Sequence, residues 1–328
     1  MSLAAKIIEV LFLFLICIGA FLGNFLLFLI VAKTPGLQTK GNVFILNLAA
    51  ADLLVAFVNM PITIVTVISE DWILGKEMCL ISGFFTLLTF VASCMALSMI
   101  SVNRYHAIVH WTTYHRTYTR CRCVLYVGIV WGVTIALSIP PLFGWASFDF
   151  DKGQSYCFAE WTESKSYTIF MIVACLCGPL AIMIYCYVNI IKFKRDSQRR
   201  VHATSQTVES SVNSQSTVPN GEPFPRQNAA VRTDRKLTRT IMCLIVVFAF
   251  CWSPFAIIMI VQVFFGSNIP RFVDLGSLVL GYINSLLNVF VYNATNKNIR
   301  QAYKKLLTCK PNQVDIPSRS ITVPHHVE

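Results

Sequence analysis

The sequence predicts an all-α membrane protein, a seven-transmembrane-helix bundle with an amphipathic eighth helix. Only 13% of its 328 residues are charged and 55% are hydrophobic, with a mean hydropathy of +0.61. A soluble domain is nearer one-quarter charged, so this chain has too little polar surface to cover itself in water. Seven stretches reach the ~20 apolar residues that a bilayer core asks of a helix. The net charge of +11 is sorted by loop. Lys and Arg fill the connections between spans one and two, three and four, and five and six, and the segment after span seven. Glu70, Asp71, Glu77, Asp149, Asp151, Glu160 and Glu163 dominate the opposite loops. Basic loops stay in the cytoplasm, so the N-terminus is expected outside the cell membrane and the C-terminus inside. The basic excess is topology plus attraction to anionic lipid, and it implies no nucleic-acid partner.

Span one, about Ile7–Val31, is longer than the roughly 7–15 apolar residues of a signal peptide, so it reads as an uncleaved helix. Spans two to five are about Val43–Ser69, Met78–Val109, Val124–Trp145 and Tyr167–Ile191. The segment over 197–233 is rich in Ser, Thr, Asn, Gln and Pro. It has too little apolar surface to fold and reads as a disordered cytoplasmic loop. Spans six and seven, about Leu237–Phe265 and Phe272–Tyr292, complete a domain over 1–293. Over 294–310, Ile299, Tyr303, Leu306 and Leu307 share one helical face with Lys and Arg opposite, the pattern of a helix lying on the inner membrane surface. Cys309 at its end reads as a lipidation site, with an unmodified thiol as the alternative. The last segment, 311–328, reads as a disordered cytoplasmic tail. Of the twelve cysteines, Cys79 and Cys157 fall in the outer region, where oxidation favours a disulfide between them. Cys121 and Cys123 face the reducing cytosol and read as incidental rather than as a metal site.

A carboxylate inside a span is expensive and by default functional. Asp52 sits mid-span with no Lys or Arg at its depth, while Asn24, Ser93, Asn284, Ser285 and Asn288 supply uncharged oxygens at mid-span elsewhere. Asp52 is therefore expected to be protonated or paired with a small cation such as sodium. An interhelical hydrogen-bond network without an ion is the alternative.

The span markers extend beyond composition. They are Gly23–Asn24, LNLAAADLL around Asp52, Trp131, Pro179 with Tyr187, CWSPF at Cys251–Phe255, and N-x-x-x-Y at Asn288–Tyr292. In order and one per span, these motifs resemble those of rhodopsin-family (class A) G-protein-coupled receptors over essentially the whole chain. Cys79, 25 residues before Arg104, matches the family's usual disulfide cysteine. Within the family the chain is most similar to the opsin and melatonin-receptor neighbourhood and to related orphan receptors. Asn103–Tyr105 resembles the melatonin receptors' form of the acidic-Arg-Tyr motif, and Val289 stands where most members have proline.

The resemblance implies a signal-transducing membrane receptor for a heterotrimeric G protein, with arrestin and a receptor kinase as further partners. Opsins carry the retinal-binding lysine six positions before the motif Asn; here that residue is Tyr282, so a retinal cofactor is not expected. Amine receptors carry an aspartate 18 residues before the motif Arg; here it is Thr86. The positions that the family uses for ligands are otherwise Leu87, Phe90, Met171, Ile172, Cys175, Trp252, Phe255, Met259, Leu278 and Tyr282. That lining implies a neutral, partly hydrophobic small molecule held by one or two hydrogen bonds, unless these side chains simply pack against one another. Asp274 is the one acid near the top of span seven that could greet a basic group. The activation machinery implied is Asn103, Arg104, Tyr105, Tyr187, Trp252, Pro254 and Tyr292. Asp234 is expected to replace the missing acid as the partner that holds Arg104, and Tyr187 and Tyr292 to meet through water after helix six swings.

Two other functions stay open at this level: a constitutive receptor without a small ligand, and a membrane transporter. The latter usually shows paired repeats or Gly/Pro-broken spans, which are not found here. No catalytic Ser/His/Asp, Cys/His or metal-ligand set shares a depth, so an enzyme is not expected.

Overall fold

The computed structural model describes residues 2–212 and 225–308, and their side chains other than those of 200–238 and 307. Seven of its helices are long and apolar enough to cross a membrane: α1 (Leu3–Lys33), α2 (Lys40–Ser69), α3 (Gly75–Val109), α4 (Arg120–Ser138), α5 (Lys165–Arg199), α6 (Arg239–Phe265) and α7 (Arg271–Thr295). An eighth, α8 (Lys297–Leu307), follows at once. The local starts are written in short polar residues. Ser2, Thr39, Thr119, Ser164 and Asn296 each accept a hydrogen bond from a backbone N–H of the helix that follows, satisfying donors with no partner in the first turn.

Large apolar side chains such as Phe12, Leu15, Val124, Ile184, Phe250 and Phe290 are exposed around the bundle. Water would not tolerate that belt; lipid does, and the multi-pass membrane assignment follows. The α3 helix sits innermost, packing against α2, α4, α5 and α6. In α8, Ile299 and Tyr303 are buried against the bundle while Lys304 and Lys305 are exposed, and the Tyr303 hydroxyl donates to the Gly23 carbonyl of α1.

Two spans contain one wide, five-residue-repeat turn, Val55–Asn59 in α2 and Ile172–Cys177 in α5. Each lies just before a proline, Pro61 and Pro179. A proline ring collides with the carbonyl four residues back and offers no N–H, and an extra residue in the turn relieves both problems. The N–H groups of Met60 and Gly178 then bond to the carbonyls of Val55 and Val173.

The structure adds to or departs from the sequence reading in three places. Span four ends at Ser138 rather than near Trp145, because Pro140 and Pro141 cannot continue the α ladder and turn it into a 3-10 segment, Pro140–Phe143. The expected disordered loop over 197–233 is entered by helix from both sides: the α5 helix runs on to Val212, and the α6 helix begins at Pro225. Helix, once nucleated in the apolar span, propagates cheaply into polar sequence. Between α4 and α5 lies a β-hairpin that was not expected, β1 (Phe148–Asp151) paired antiparallel with β2 (Tyr156–Ala159), with Phe150 opposite Cys157. The tail over 311–328 and Cys309 lie outside the described residues.

Candidate ligand site and polar core

The hairpin is fastened to α3 by the expected disulfide, Cys79–Cys157, with Cα atoms 5.4 Å apart. Because side chains alternate along a strand, Tyr156 and Phe158 point away from the Cys157 face. Every residue of β2 is buried, and these two rings belong to the bundle's core. Phe158 lies 5.2 Å from Trp161 and 5.8 Å from Phe255; below them Phe90 sits 4.7 Å from Trp252 and 6.2 Å from Phe255. An aromatic column thus descends from the hairpin to the indole of Trp252, which rests against Gly281 of α7. Each such pair adds about 0.5–1.5 kcal/mol beyond its buried area.

The residues expected to line a ligand site do converge around this column. Leu87, Met171, Cys175, Phe255, Met259, Leu278 and Tyr282 share one core cluster, with Phe90, Ile172 and Trp252 packed on it. They are nearly close-packed. The spaces left among them are about 20 Å³ beside Thr86 and Tyr282 and about 30 Å³ beside Cys175 and Met259. Both expected hydroxyl handles are already engaged: Thr86 donates to the Ser82 carbonyl of its own helix, and Tyr282 shares a 2.8 Å hydrogen bond with Thr63. Thr66, one turn further along α2, donates to the Ser155 carbonyl and so ties the hairpin turn to the same helix.

The roomy site is higher, at the disulfide end of the bundle. A cavity of about 600 Å³ opens between the hairpin and the ends of α6 and α7. Its floor includes Phe158, Trp161, Phe255 and Met259, and its walls carry Asp149, Asp151, Glu160, Asp274, Gln154 and Gln262. Asp151 accepts the N–H groups of Gly153 and Gln154, a turn closed by its own side chain. Burial pushes the Asp151 carboxyl up from its ordinary value despite those two bonds. Gly153 carries the loop over two carboxylates at once. A Cβ there would stand 2.5 Å from an oxygen of Asp274 and 3.0 Å from one of Asp151.

Midway through the bundle, Asn288 donates to Asp52 at 2.9 Å, and Asn24 donates to the Ser285 carbonyl at 3.1 Å. Asp52, Asn24, Asn284 and Asn288 each keep one buried side-chain oxygen with no hydrogen-bond partner among the described residues. Ser93, Asn284 and Ser285 line the small space just above. Such a set, one carboxylate with neutral oxygens, consists of the oxygen donors that hard cations prefer.

At the opposite end, Arg104 is buried with its guanidinium packed on Gly41, in the first turn of α2. Asn103, in the place of an acid, donates to the Tyr114 hydroxyl on the short helix Trp111–Thr117. Tyr105 pairs with His110 and leans on Tyr185. The hydroxyls of Tyr187 and Tyr292 are buried and not bonded to each other, and Pro254 lies inside α6. The Asp234 side chain, expected to hold Arg104, lies outside the described residues. Any side chain at position 41 would strike Arg104. Gly41→Ala should therefore push the Arg104 guanidinium aside, and its effect on thermal unfolding should stay within about 1 kcal/mol, since the far end of a flexible side chain can give way. In an Arg104→Ala background the same change should be more favourable than in the native chain, because the helix gains alanine's propensity with nothing displaced, and a double-mutant cycle would read the difference.

Comparison with known proteins now decides the family. The description "7 transmembrane receptor (rhodopsin family)" matches residues 23–292. The chain belongs to this family. As a rhodopsin-family receptor it is 30% identical over 306 residues to melatonin receptor type 1B-B of Danio rerio, covering 92% of this chain and 80% of that one. It is 31% identical over 290 residues to melatonin receptor type 1A of Gallus gallus, covering 87% and 76%. The crystal structure of squid rhodopsin shares the fold, with a TM-score of 0.82 at 21% identity, over 95% of this chain and 89% of that one. Members of the family are receptors rather than enzymes. What sequence reading of this receptor missed is the contribution of the hairpin and its flank, Tyr156, Phe158 and Trp161 from above and Gln154 beside Asp274, together with Gln262 of α6 on the other side of that carboxylate. The signal was present as FDFD and YCFA around a Gly-containing turn: the first run alternates strictly but is only four residues long, and the second does not alternate.

Proposed function

We propose that this receptor carries a signal from a small extracellular molecule to a heterotrimeric G protein. The disulfide end faces outward, where thiols oxidise, and the basic loops face the cytoplasm. The observation that supports this most is the aromatic column: one continuous stack joins the 600 Å³ cavity to Trp252 on α6, beneath which lie Asp52 and then Arg104. A molecule seated on Phe158 and Phe255 shifts that stack, and the shift biases a two-state bundle. The part of the ligand that reaches this deep is neutral and partly hydrophobic, since the layer around Phe90, Cys175 and Met259 is apolar. Receptor in lipid nanodiscs with purified G proteins should accelerate guanine-nucleotide exchange when the right molecule is added, with melatonin, for which the relatives are named, among the first tried. No acceleration over a broad amine and amide panel, together with substrate flux in proteoliposomes, would favour a transporter instead.

One observation favours a second reading. Phe158 and Tyr156 already occupy the space where a deep ligand would sit, so the hairpin can act as a built-in occupant and the receptor signal without a small molecule.

Within either reading, Asp52 with Ser93, Asn284, Ser285 and Asn288 would hold sodium, which supplies positive charge to a buried carboxylate and favours the inactive state. Basal exchange should fall at least about fivefold when N-methylglucamine is replaced by sodium. Asp52→Asn should remove that dependence, and a mutant with an unchanged sodium response would remove the site. Retinal is not the ligand: Tyr282 has no amine for a Schiff base, and mixing receptor with retinal should give no hydrolysable visible pigment. Arrestin and a receptor kinase are the expected regulators at the basic face.

A further inference from the structure

Asp274, in the first turn of α7, is 2% exposed and lines the 600 Å³ cavity. Its carboxylate meets only neutral donors, the amide of Gln154 and, at 3.5 Å, that of Gln262. Arg271, one turn earlier on the same helix, is turned away to Glu9 and Ser155. Among the described residues the ion pairs are Lys6–Glu70 and Arg271–Glu9, and neither of those cations is paired with Asp274. A buried charge without a counter-ion is costly, and the cost is compounded here by Asp151, whose oxygen shares the surroundings of Gly153 with Asp274. Asp149 and Glu160 extend the negative lining, against Lys152. The remaining surface is aromatic: Phe158, Trp161 and Phe255.

Resting on the receptor reading above, we propose that this cavity binds an arylalkylammonium ligand, with Asp274 as the counter-ion and the aromatic floor as the seat of its ring. A divalent metal fits poorly, because it takes six to eight oxygen ligands and the amides of Gln154 and Gln262 present N–H groups to the carboxylate. A neutral ligand leaves the charge unanswered. An ammonium supplies the missing charge, replaces the amide donors with stronger ones, and gains from the ring faces below. Its volume falls in the range of small-molecule sites. This places the recognising acid on α7 and the hairpin, away from Thr86.

Two measurements test it. The first is independent of any particular ligand. In Gln262→Cys receptor, a cationic trimethylammonioethyl thiosulfonate should label the thiol about tenfold faster than the anionic sulfonatoethyl reagent, after correction for free thiol. Adding Asp274→Asn should erase most of that preference, and Asp274→Glu should keep it. A preference indifferent to Asp274→Asn overturns the proposal. The second uses tritiated tryptamine and phenethylamine on receptor in nanodiscs, without G protein. Asp274→Asn should weaken binding roughly tenfold to a hundredfold, as loss of a charged hydrogen bond does, and N-acetylation of either amine should do the same. Equal binding of the amine and its N-acetyl form, or no binding of either amine, overturns it. Nucleotide exchange is scored separately. Amine binding that depends on Asp274 supports the site even where exchange is silent, whereas silence across all ligands counts against the receptor reading alone.

Discussion

Cys157→Ser should lower the stability of the folded receptor by about 4 kcal/mol. The bridge closes a loop with a sequence separation of 78 residues, so its removal returns a large conformational freedom to the unfolded chain. It also unfastens β2, whose buried residues Tyr156 and Phe158 reach the core only because Cys157 is held on α3. Thermal unfolding in nanodiscs should show the same loss for Cys79→Ser, and no further loss in the double mutant. Two independent losses that add would mean that the thiols act separately and the bridge holds nothing.

Phe158→Ala is the second large effect. Truncating a buried phenylalanine costs about 3–5 kcal/mol, the lost transfer free energy plus the cavity left behind. Here the vacancy would join the small space beside Thr86 and Tyr282 to the cavity above, because Phe158 lines both. The change also separates the two functional readings. A receptor driven by its own hairpin should lose basal nucleotide exchange when this ring is removed, at matched surface expression. A receptor awaiting a ligand should keep its basal exchange and accept a bulkier aromatic molecule. Restoration of stability by an added aromatic compound would locate that compound in the vacated space.

The parts of the molecule legible in sequence were those set by local chemistry. Runs such as Leu11–Leu27 can only be lipid-spanning helix, and Asp52 stands out because nothing near it in sequence answers its charge. Asn24, Ser285 and Asn288 were legible for the same reason, since polar groups in lipid must find each other. The ligand positions were legible as a set but not as a filled space. Phe158 comes from a hairpin distant in sequence, and nothing in the helices announces that a foreign ring will sit between Phe255 and Trp161. Asp274 was visible as an acid, yet its amide neighbours Gln154 and Gln262 lie on two other segments and meet it only in the fold. The contact of Arg104 with Gly41 is a matter of close approach that composition does not encode.

The wide turns in α2 and α5 have a bearing on ancestry and length. Each residue of an α-helix advances the side-chain direction by about 100°, so one surplus residue re-aims everything beyond it. Past Val55–Asn59, that rotation is what lets Thr63 meet Tyr282 and Thr66 meet the hairpin. Deleting Ala56 would leave a regular helix one residue shorter and swing both threonines off their partners, although every residue type beyond it survives. Relatives that lack the surplus residue would present a different amino acid at the same point in space. Equivalence between two such chains is therefore a matter of angle and not of counting, and a single-residue gap in either helix carries as much chemical meaning as a substitution in the site itself.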